Sequence, residues 1–183
     1  NWSGTIVGVE LQATATEAAE GTEVQNKTAS TTTTFDITVE AVADLPPVHV
    51  VPATAGNAGY EDTPIRISFT TALVDQDGSE ALYHEVRGLP SGAQFVDASG
   101  GPLGTHVDTD GDTVPDAWRF TAAQVAQLHV LPELHSNLDF TLEVRAVSIE
   151  SNVAPTLPGY GDVAYSSWVP LQVEVIGVAD RVT

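Results

Sequence analysis

The sequence FDITVE at residues 35–40 and the sequence LQVEV at residues 171–175 alternate apolar and polar side chains. Strict alternation puts the apolar side chains on one face of a strand, which is typical of an antiparallel sheet with one face on a core. Three more stretches, at residues 5–16, 65–71 and 140–149, predict further strands because they are rich in Thr and Val. We therefore predict an all-β fold and, in a chain of this size, an antiparallel β-sandwich.

An internal repeat divides the chain. Residues 3–17 align without gaps with residues 136–150, and residues 35–44 align with residues 171–180. The offsets are 133 and 136 residues, and a period this long indicates a repeated domain rather than a solenoid unit. We therefore predict a complete unit, one whole β-sandwich, at residues 46–183. Residues 1–45 are then the C-terminal strands of a preceding unit.

The first 45 residues need partners, because two or three strands cannot bury an apolar face by themselves. They can complete a sheet with strands that are missing from this chain, exchange with a second molecule, or dock on the following domain. We favour a split domain, whose first strands lie upstream of an insertion. Strands from residues 1–44 added to the sheet of residues 46–180 would contradict this hypothesis.

The charge balance restricts the partners of the protein. The chain has 25 Asp and Glu against 6 Lys and Arg, for a formal net charge of −19. Such a balance argues against nucleic acid and against an anionic membrane surface, and no apolar run is long enough to insert into a membrane. With 42% hydrophobic residues, the chain is also too apolar for a disordered acidic tail. Either the folded domain tolerates the repulsion between these carboxylates or something neutralises them, and in a chain so poor in basic residues we expect the neutraliser to be a divalent cation.

Residues 108–116, with the sequence DTDGDTVPD, form the strongest local motif. Carboxylates at its positions 1, 3, 5 and 9 resemble the start of a calcium loop, since calcium takes six to eight hard oxygen ligands. We predict calcium ligands at Asp108, Asp110, Asp112 and Asp116. An EF-hand would have glycine at position 6 and glutamate at position 12, where this chain has Thr113 and Arg119. The alternative interpretation is a solvated acidic turn.

Two further groups of carboxylates are candidate calcium ligands. The first is the compact loop that contains Asp75, Asp77 and Glu80, for which the alternative is an ordinary Asp-Gly turn. The second is distributed and consists of Glu61 and Asp62 near the start of the complete unit, with Asp44 and Asp180 at the unit ends. If units stack end to end, Asp44, Glu61, Asp62 and the loop at 75–80 are expected to converge at one junction.

No catalytic constellation stands out. The chain has no cysteine, so it has no thiol nucleophile, disulfide or thiolate zinc site, and it has no Gly-x-Ser-x-Gly elbow. We therefore do not expect an enzyme. Trp118, Trp168 and Tyr160 are candidates for a surface that stacks on sugar or peptide, although burial in a core is the alternative for all three.

Four motifs follow one another in the complete unit: GYEDTPI at residues 59–65, LVDQDGSE at 73–80, RGLPSGA at 87–93 and a closing VAD at 178–180. In this combination and order the chain resembles the repeated Ig-like and cadherin-like domains of large bacterial RTX adhesins exported by type I secretion. The resemblance covers about three quarters of the chain as a full unit, and the rest as a partial one.

The resemblance implies an Ig-like, extracellular and calcium-dependent β-sandwich that is one of many tandem copies. Such copies form a stalk, or extender, that projects ligand-binding domains from the cell surface. The implied calcium ligands are Glu61, Asp62, Asp75, Asp77, Glu80, Asp44 and Asp180. The implied partners are neighbouring tandem domains of the same chain, with host or cell-surface ligands bound through other domains. A ligand-binding module of the same kind of adhesin is the alternative function.

Overall fold

The computed structural model describes residues 2–17, 28–50, 56–76, 78–150 and 161–179. Within these ranges nearly all regular structure is β, which confirms the predicted all-β, sandwich-like fold. The strands are β1 (Gly4–Thr16), β2 (Thr28–Val39), β3 (Val48–Val50), β4 (Ala58–Tyr60), β5 (Ile65–Arg66), β6 (Phe69–Thr71), β7 (Glu80–Arg87), β8 (Gln94–Val96), β9 (Thr105–Val107), β10 (Ala117–Thr121), β11 (His129–Leu131), β12 (Phe140–Glu150), β13 (Val163–Tyr165) and β14 (Val169–Ile176). One short helix, α1 (Ala122–Val125), follows β10 and begins with a capping box between Thr121 and Gln124.

The larger layer of the sandwich is a sheet with the strand order β4-β14-β12-β7-β10-β9. Strand β12 is at its centre and pairs antiparallel with β7 along one edge and with β13 and β14 along the other. Strand β4 adds to the outer edge of β14 and runs parallel to it. Leu142, Val144 and Ala146 of β12 alternate as fully buried side chains with the partly exposed Glu143 and Arg145, whereas Val147 and Ser148 further along the strand are both buried.

The second layer consists of the three-stranded sheet β5-β11-β8 and the pair β3-β6. The stretch at residues 65–71, predicted as one strand, is divided between these two sheets. The break falls at Ser68, whose backbone N–H donates to the side chain of Asn57 at 2.6 Å instead of to a neighbouring strand. The core lies between the layers, and its largest fully buried side chains include Phe95, Phe120, Ile65 and Leu142.

Strands β1 and β2 form a separate two-stranded antiparallel sheet, which we call the N-terminal hairpin. Neither strand adds to the sheets of the sandwich. A bulge between Ile6 and Val9 interrupts the pairing, with Gly8 at a φ of 72°. The bulge is held by the backbone N–H of Gly8, which donates to Asp36 at 2.8 Å. The split-domain hypothesis for this region stays a prediction.

Candidate metal centre

The loop between β9 and β10 is built around the carboxylate of Asp108. One oxygen of this carboxylate accepts the backbone N–H groups of Asp110 at 3.1 Å and Gly111 at 2.7 Å, and the other accepts that of Thr113 at 2.7 Å. Asp110 and Asp112 each accept the N–H two residues further on, at 3.2 and 2.7 Å. Short Asp side chains make such local bonds readily, so the sequence of the loop by itself accounts for its turns.

Three carboxylates converge in this loop. One oxygen from each of Asp108, Asp110 and Asp112 lies within 4.8 Å of the others, and all three residues are exposed. The N–H groups of Gly111 and Thr113 lower the pKa of Asp108 below its ordinary value, because they stabilise the ionised form. Asp108 is therefore ionised at neutral pH, and the carboxylate oxygens of the cluster are of the hard type that calcium prefers.

The remaining predicted ligand of this loop has a different contact. Both oxygens of Asp116 are bonded to Thr109, one to its backbone N–H at 2.8 Å and one to its hydroxyl at 2.7 Å. The hydroxyl is also the main cause of the lowered pKa of Asp116. Asp116 thus closes the base of the loop and is not part of the three-carboxylate cluster. At position 6, Thr113 has a φ of 74°, a backbone conformation that usually favours glycine.

A second acidic site is a cavity of about 230 Å³ between the N-terminal hairpin and the sandwich, which we call the junction cavity. The segment that leaves β2 contributes Glu40 and Asp44 to its wall, and the sandwich contributes Asp75, Ser79 and Glu150. Four of these five side chains are carboxylates, and none of the described residues in the wall is basic. The cavity is therefore a concentrated source of oxygen ligands at the point where the segment after the N-terminal hairpin meets the sandwich.

Glu80 connects the two sides of this junction. One oxygen of its carboxylate accepts the backbone N–H of Asp44 at 2.6 Å. Its other oxygen, Oε2, is buried and has no hydrogen-bond partner among the described residues. Beside it, Ser79 donates to the buried carboxylate of Glu150 at 3.2 Å. A buried carboxylate oxygen without a partner is costly, and a bound cation is one arrangement that would remove the cost.

The predicted convergence of Glu61 and Asp62 with this junction is not found. Glu61 is at the other end of the sandwich, where its backbone N–H donates to Ile176 at 3.0 Å and its carboxylate accepts the N–H of Val178 at 2.6 Å. Asp62 accepts the backbone N–H of His135 at 2.7 Å at the same end. The junction cavity lies at the Glu150 end of β12. Glu61 and Asp62 lie near the C-terminal end of β14, which is at the opposite, Phe140 end of β12. The two sites are therefore separated by the length of β12, roughly 30 Å.

Two predicted ligands, Asp77 and Asp180, lie outside the described residues. Conversely, Glu40, Ser79 and Glu150 line the junction cavity although the sequence did not predict them as ligands. The internal repeat contained one usable signal, since Glu150 is the counterpart of Glu17 at an offset of 133 residues.

The two described candidate aromatics pack against other side chains of the protein. The ring of Trp168 has the guanidinium groups of Arg87 and Arg145 at 4.3 and 4.5 Å from its centre. Trp118 stacks on His106, with ring centres 3.7 Å apart, and meets the edge of Phe95. Tyr160 lies outside the described residues.

No protein-family model, curated protein or solved structure matches this chain. Among the described residues, no helix is long and apolar enough to cross a membrane.

Proposed function

We propose that this protein is a calcium-binding structural module, an extender of the kind that holds the ligand-binding domains of a bacterial RTX adhesin away from the cell. One observation carries the proposal. The junction cavity has carboxylates from two successive units in its wall, and Glu80, whose buried Oε2 has no partner among the described residues, accepts the backbone N–H of Asp44 from that wall. The role is mechanical rather than catalytic, and it places the protein outside the cell, next to other domains of the same chain.

The physical reason for the role is charge repulsion. In the absence of a cation, Asp44 and Glu40 on the linking segment repel Asp75 and Glu150 on the sandwich, so the angle between the units is weakly defined. A calcium ion accepts oxygens from both sides at 2.3–2.6 Å and so joins them. The ion offsets two of the negative charges and stiffens the linker. The cluster of Asp108, Asp110 and Asp112 is proposed as a second site, which orders its own loop.

The test is thermal unfolding of the full chain in calcium and in EDTA. At a calcium concentration of 100 times the Kd, one site adds about 2.7 kcal/mol to the free energy of unfolding. In a chain of this size we expect the Tm to rise by about 5–10 °C for each site, and magnesium to be less effective because it needs stricter octahedral geometry. Identical melting curves in calcium and EDTA would contradict the proposal.

Charge-neutralising variants separate the two sites. The pair Asp44→Asn and Asp75→Asn removes ligands from the junction cavity, and the pair Asp110→Asn and Asp112→Asn removes them from the loop. Each pair is expected to abolish one part of the calcium-dependent rise in Tm. Glu174→Gln is the matched control, because Glu174 is an exposed strand residue outside both sites. If this control loses as much of the rise as the two pairs, the effect of calcium is general screening and not binding.

One observation favours the alternative function, a ligand-binding module. A smaller cavity of about 140 Å³ lies beside the acidic loop, with Trp118, His106, Arg87 and Asp116 in its wall. An aromatic face beside charged groups can take a sugar or a peptide. Binding of sugars or peptides that Trp118→Ala abolishes would favour this function over the extender.

A further inference from the structure

The N-terminal hairpin exposes an apolar face. The strand register puts six apolar side chains on this face: Ile6, Val9, Leu11, Phe35, Ile37 and Val39. In five of them, between 40% and 59% of the residue surface is exposed. Their polar neighbours, such as Gln12 and Thr34, alternate with them and lie on the opposite face. An apolar face of this kind on an isolated two-stranded sheet indicates a surface that another molecule or segment covers.

The complete unit contains the same pair of strands in a covered state. Val9 pairs with Phe35 in the hairpin, and their repeat counterparts Leu142 and Leu171 pair in the same way in the sandwich. The adjacent pair along the strands also corresponds, since Glu10 lies opposite Thr34 and its counterpart Glu143 lies opposite Pro170, the counterpart of Thr34. From Val9 and Phe35 towards Leu11 and Thr33 the repeat therefore extends from sequence to strand register, whereas beyond the bulge at Gly8 the pairing is shifted by one residue.

The β1–β2 pair and the β12–β14 pair differ in burial. Leu142, Val144 and Leu171 are fully buried, whereas their counterparts Leu11 and Phe35 are 59% and 46% exposed and Val9 is partly exposed. In the complete unit, β5, β8 and β11 supply the opposite layer of the core, β7 pairs along β12, and β4 pairs along β14. No strand of the described residues does any of this for the hairpin.

A second copy of the same hairpin is a poor candidate for the cover. The apolar part of the face spans about six residues of each strand, or roughly 20 Å by 10 Å, so two copies face to face would bury only about 400 Å². Stable interfaces bury roughly 1,200 Å² or more. The net charge of −19 on each chain opposes the association further.

We propose that the hairpin binds a β-sandwich unit of this same kind that lacks its own strands equivalent to β12 and β14. In the resulting sandwich, β1 and β2 take the places that β12 and β14 have in the complete unit. The partner supplies an apolar layer like β5-β11-β8, an antiparallel strand like β7 along β1, and a parallel strand like β4 along β2. Backbone hydrogen bonds on both edges add to burial of the face, which a second hairpin would not provide.

The register makes the partner's chemistry more specific. In the complete unit, Arg87 of β7 lies opposite Glu143 and forms an ion pair with it at 2.7 Å. The counterpart of Glu143 is Glu10, which is exposed in the hairpin. The partner strand is therefore expected to carry a basic side chain opposite Glu10 and an apolar side chain opposite Leu11, as Val86 lies opposite Val144 in the complete unit.

The experiment uses the full chain as the host and a polypeptide of residues 46–135 as the probe. This probe has every strand of the complete unit except β12, β13 and β14. We expect a 1:1 complex in which the outward backbone amides of β1 and β2 exchange hydrogen at least about 100-fold more slowly. EDTA is present throughout, so the result is independent of calcium binding.

Two variants test the face. Leu11→Asp puts a charge into the covered side and is expected to weaken the complex at least about 30-fold. Gln12→Asp, which adds the same charge on the opposite face, is the matched control and is expected to change affinity less than about threefold. Equal loss in both variants would overturn the proposal, and so would a dimer of the full chain that blocks binding of the probe.

A fused chain covers the case in which the free probe does not fold. Residues 46–135 are joined through a flexible linker in front of residue 1 of the full chain, so that binding becomes intramolecular. Slow exchange at the β1 and β2 amides of this chain supports the proposal. Exchange as fast as in the unfused chain overturns it.

Discussion

The hairpin of β1 and β2 and the pair of β12 and β14 are two versions of one sequence pattern in different surroundings. Their strands pair in the same register at Val9 and Phe35 and at Leu142 and Leu171. One pair is at the centre of a sheet and faces a core, and the other has no strand neighbour among the described residues. Alternating apolar and polar residues therefore specify a strand and its two faces, whereas burial of the apolar face depends on whether other strands pack against it.

The largest expected difference between the two pairs is the cost of truncating an apolar side chain. Leu171→Ala removes a fully buried side chain from the core and is expected to lower the free energy of unfolding by about 3 kcal/mol. Phe35→Ala, at the counterpart position, is expected to cost less than about 1 kcal/mol because Phe35 is 46% exposed. Urea unfolding of both variants measures the difference. Equal costs would mean that the hairpin is covered in solution.

The second expected difference is in the response to acid. Strand β7, which the hairpin lacks as a neighbour, contains His84, and burial lowers the pKa of this histidine from 6.5 to about 4. Between those pH values the unfolded chain binds a proton that the folded chain does not, so stability falls as the pH falls. The slope reaches about 1.4 kcal/mol per pH unit, or about 2 kcal/mol between pH 6 and 4.5.

The control for the acid effect is His84→Gln, which does not titrate. It is expected to flatten the dependence of unfolding free energy on pH in this window, at some general cost in stability because the contact of His84 with Thr71 at 2.6 Å changes. Asp108 and Asp116 have pKa values lowered from 3.8, so their contributions are lost only at more acidic pH. An unchanged slope in the variant would contradict the assignment to His84.

The smallest expected difference concerns the outer faces. Glu85 is fully buried, and each of its carboxylate oxygens is held by two nitrogens of one arginine, Oε1 by Arg119 and Oε2 by Arg145. Arg145→Gln puts into the sandwich the residue that the hairpin has at the counterpart position, Gln12. This substitution is expected to lower the free energy of unfolding by about 1.5 kcal/mol, because Glu85 loses one of its two arginine partners and Trp168 loses one of its cation–π contacts. Gln12→Arg is expected to change stability by less than about 0.5 kcal/mol, as measured in the same urea series.

The carboxylate sites show how far local patterns extend. The turns around Asp108 follow from closely spaced Asp residues, and these turns bring the carboxylates of Asp108, Asp110 and Asp112 together. The sequence predicted that Glu61 and Asp62 converge with Asp44, whereas Glu61 bonds to Val178 beyond the end of β14 and Asp44 bonds to Glu80 at the start of β7. Separation along the sequence does not predict the distance between residues on different strands, because that distance depends on how the strands pair.

By itself, the sequence determined the all-β class, the alternating faces, the repeat and the acidic loop, because each of these depends on residues close together in the chain. Only the tertiary structure decided that Glu40, Asp75 and Glu150 share one cavity. It also decided that Glu85 is buried between two arginines and that one copy of the repeated strand pair lacks a cover. These features join residues from separate strands, and pairing between distant strands is set by the packing of the whole sandwich.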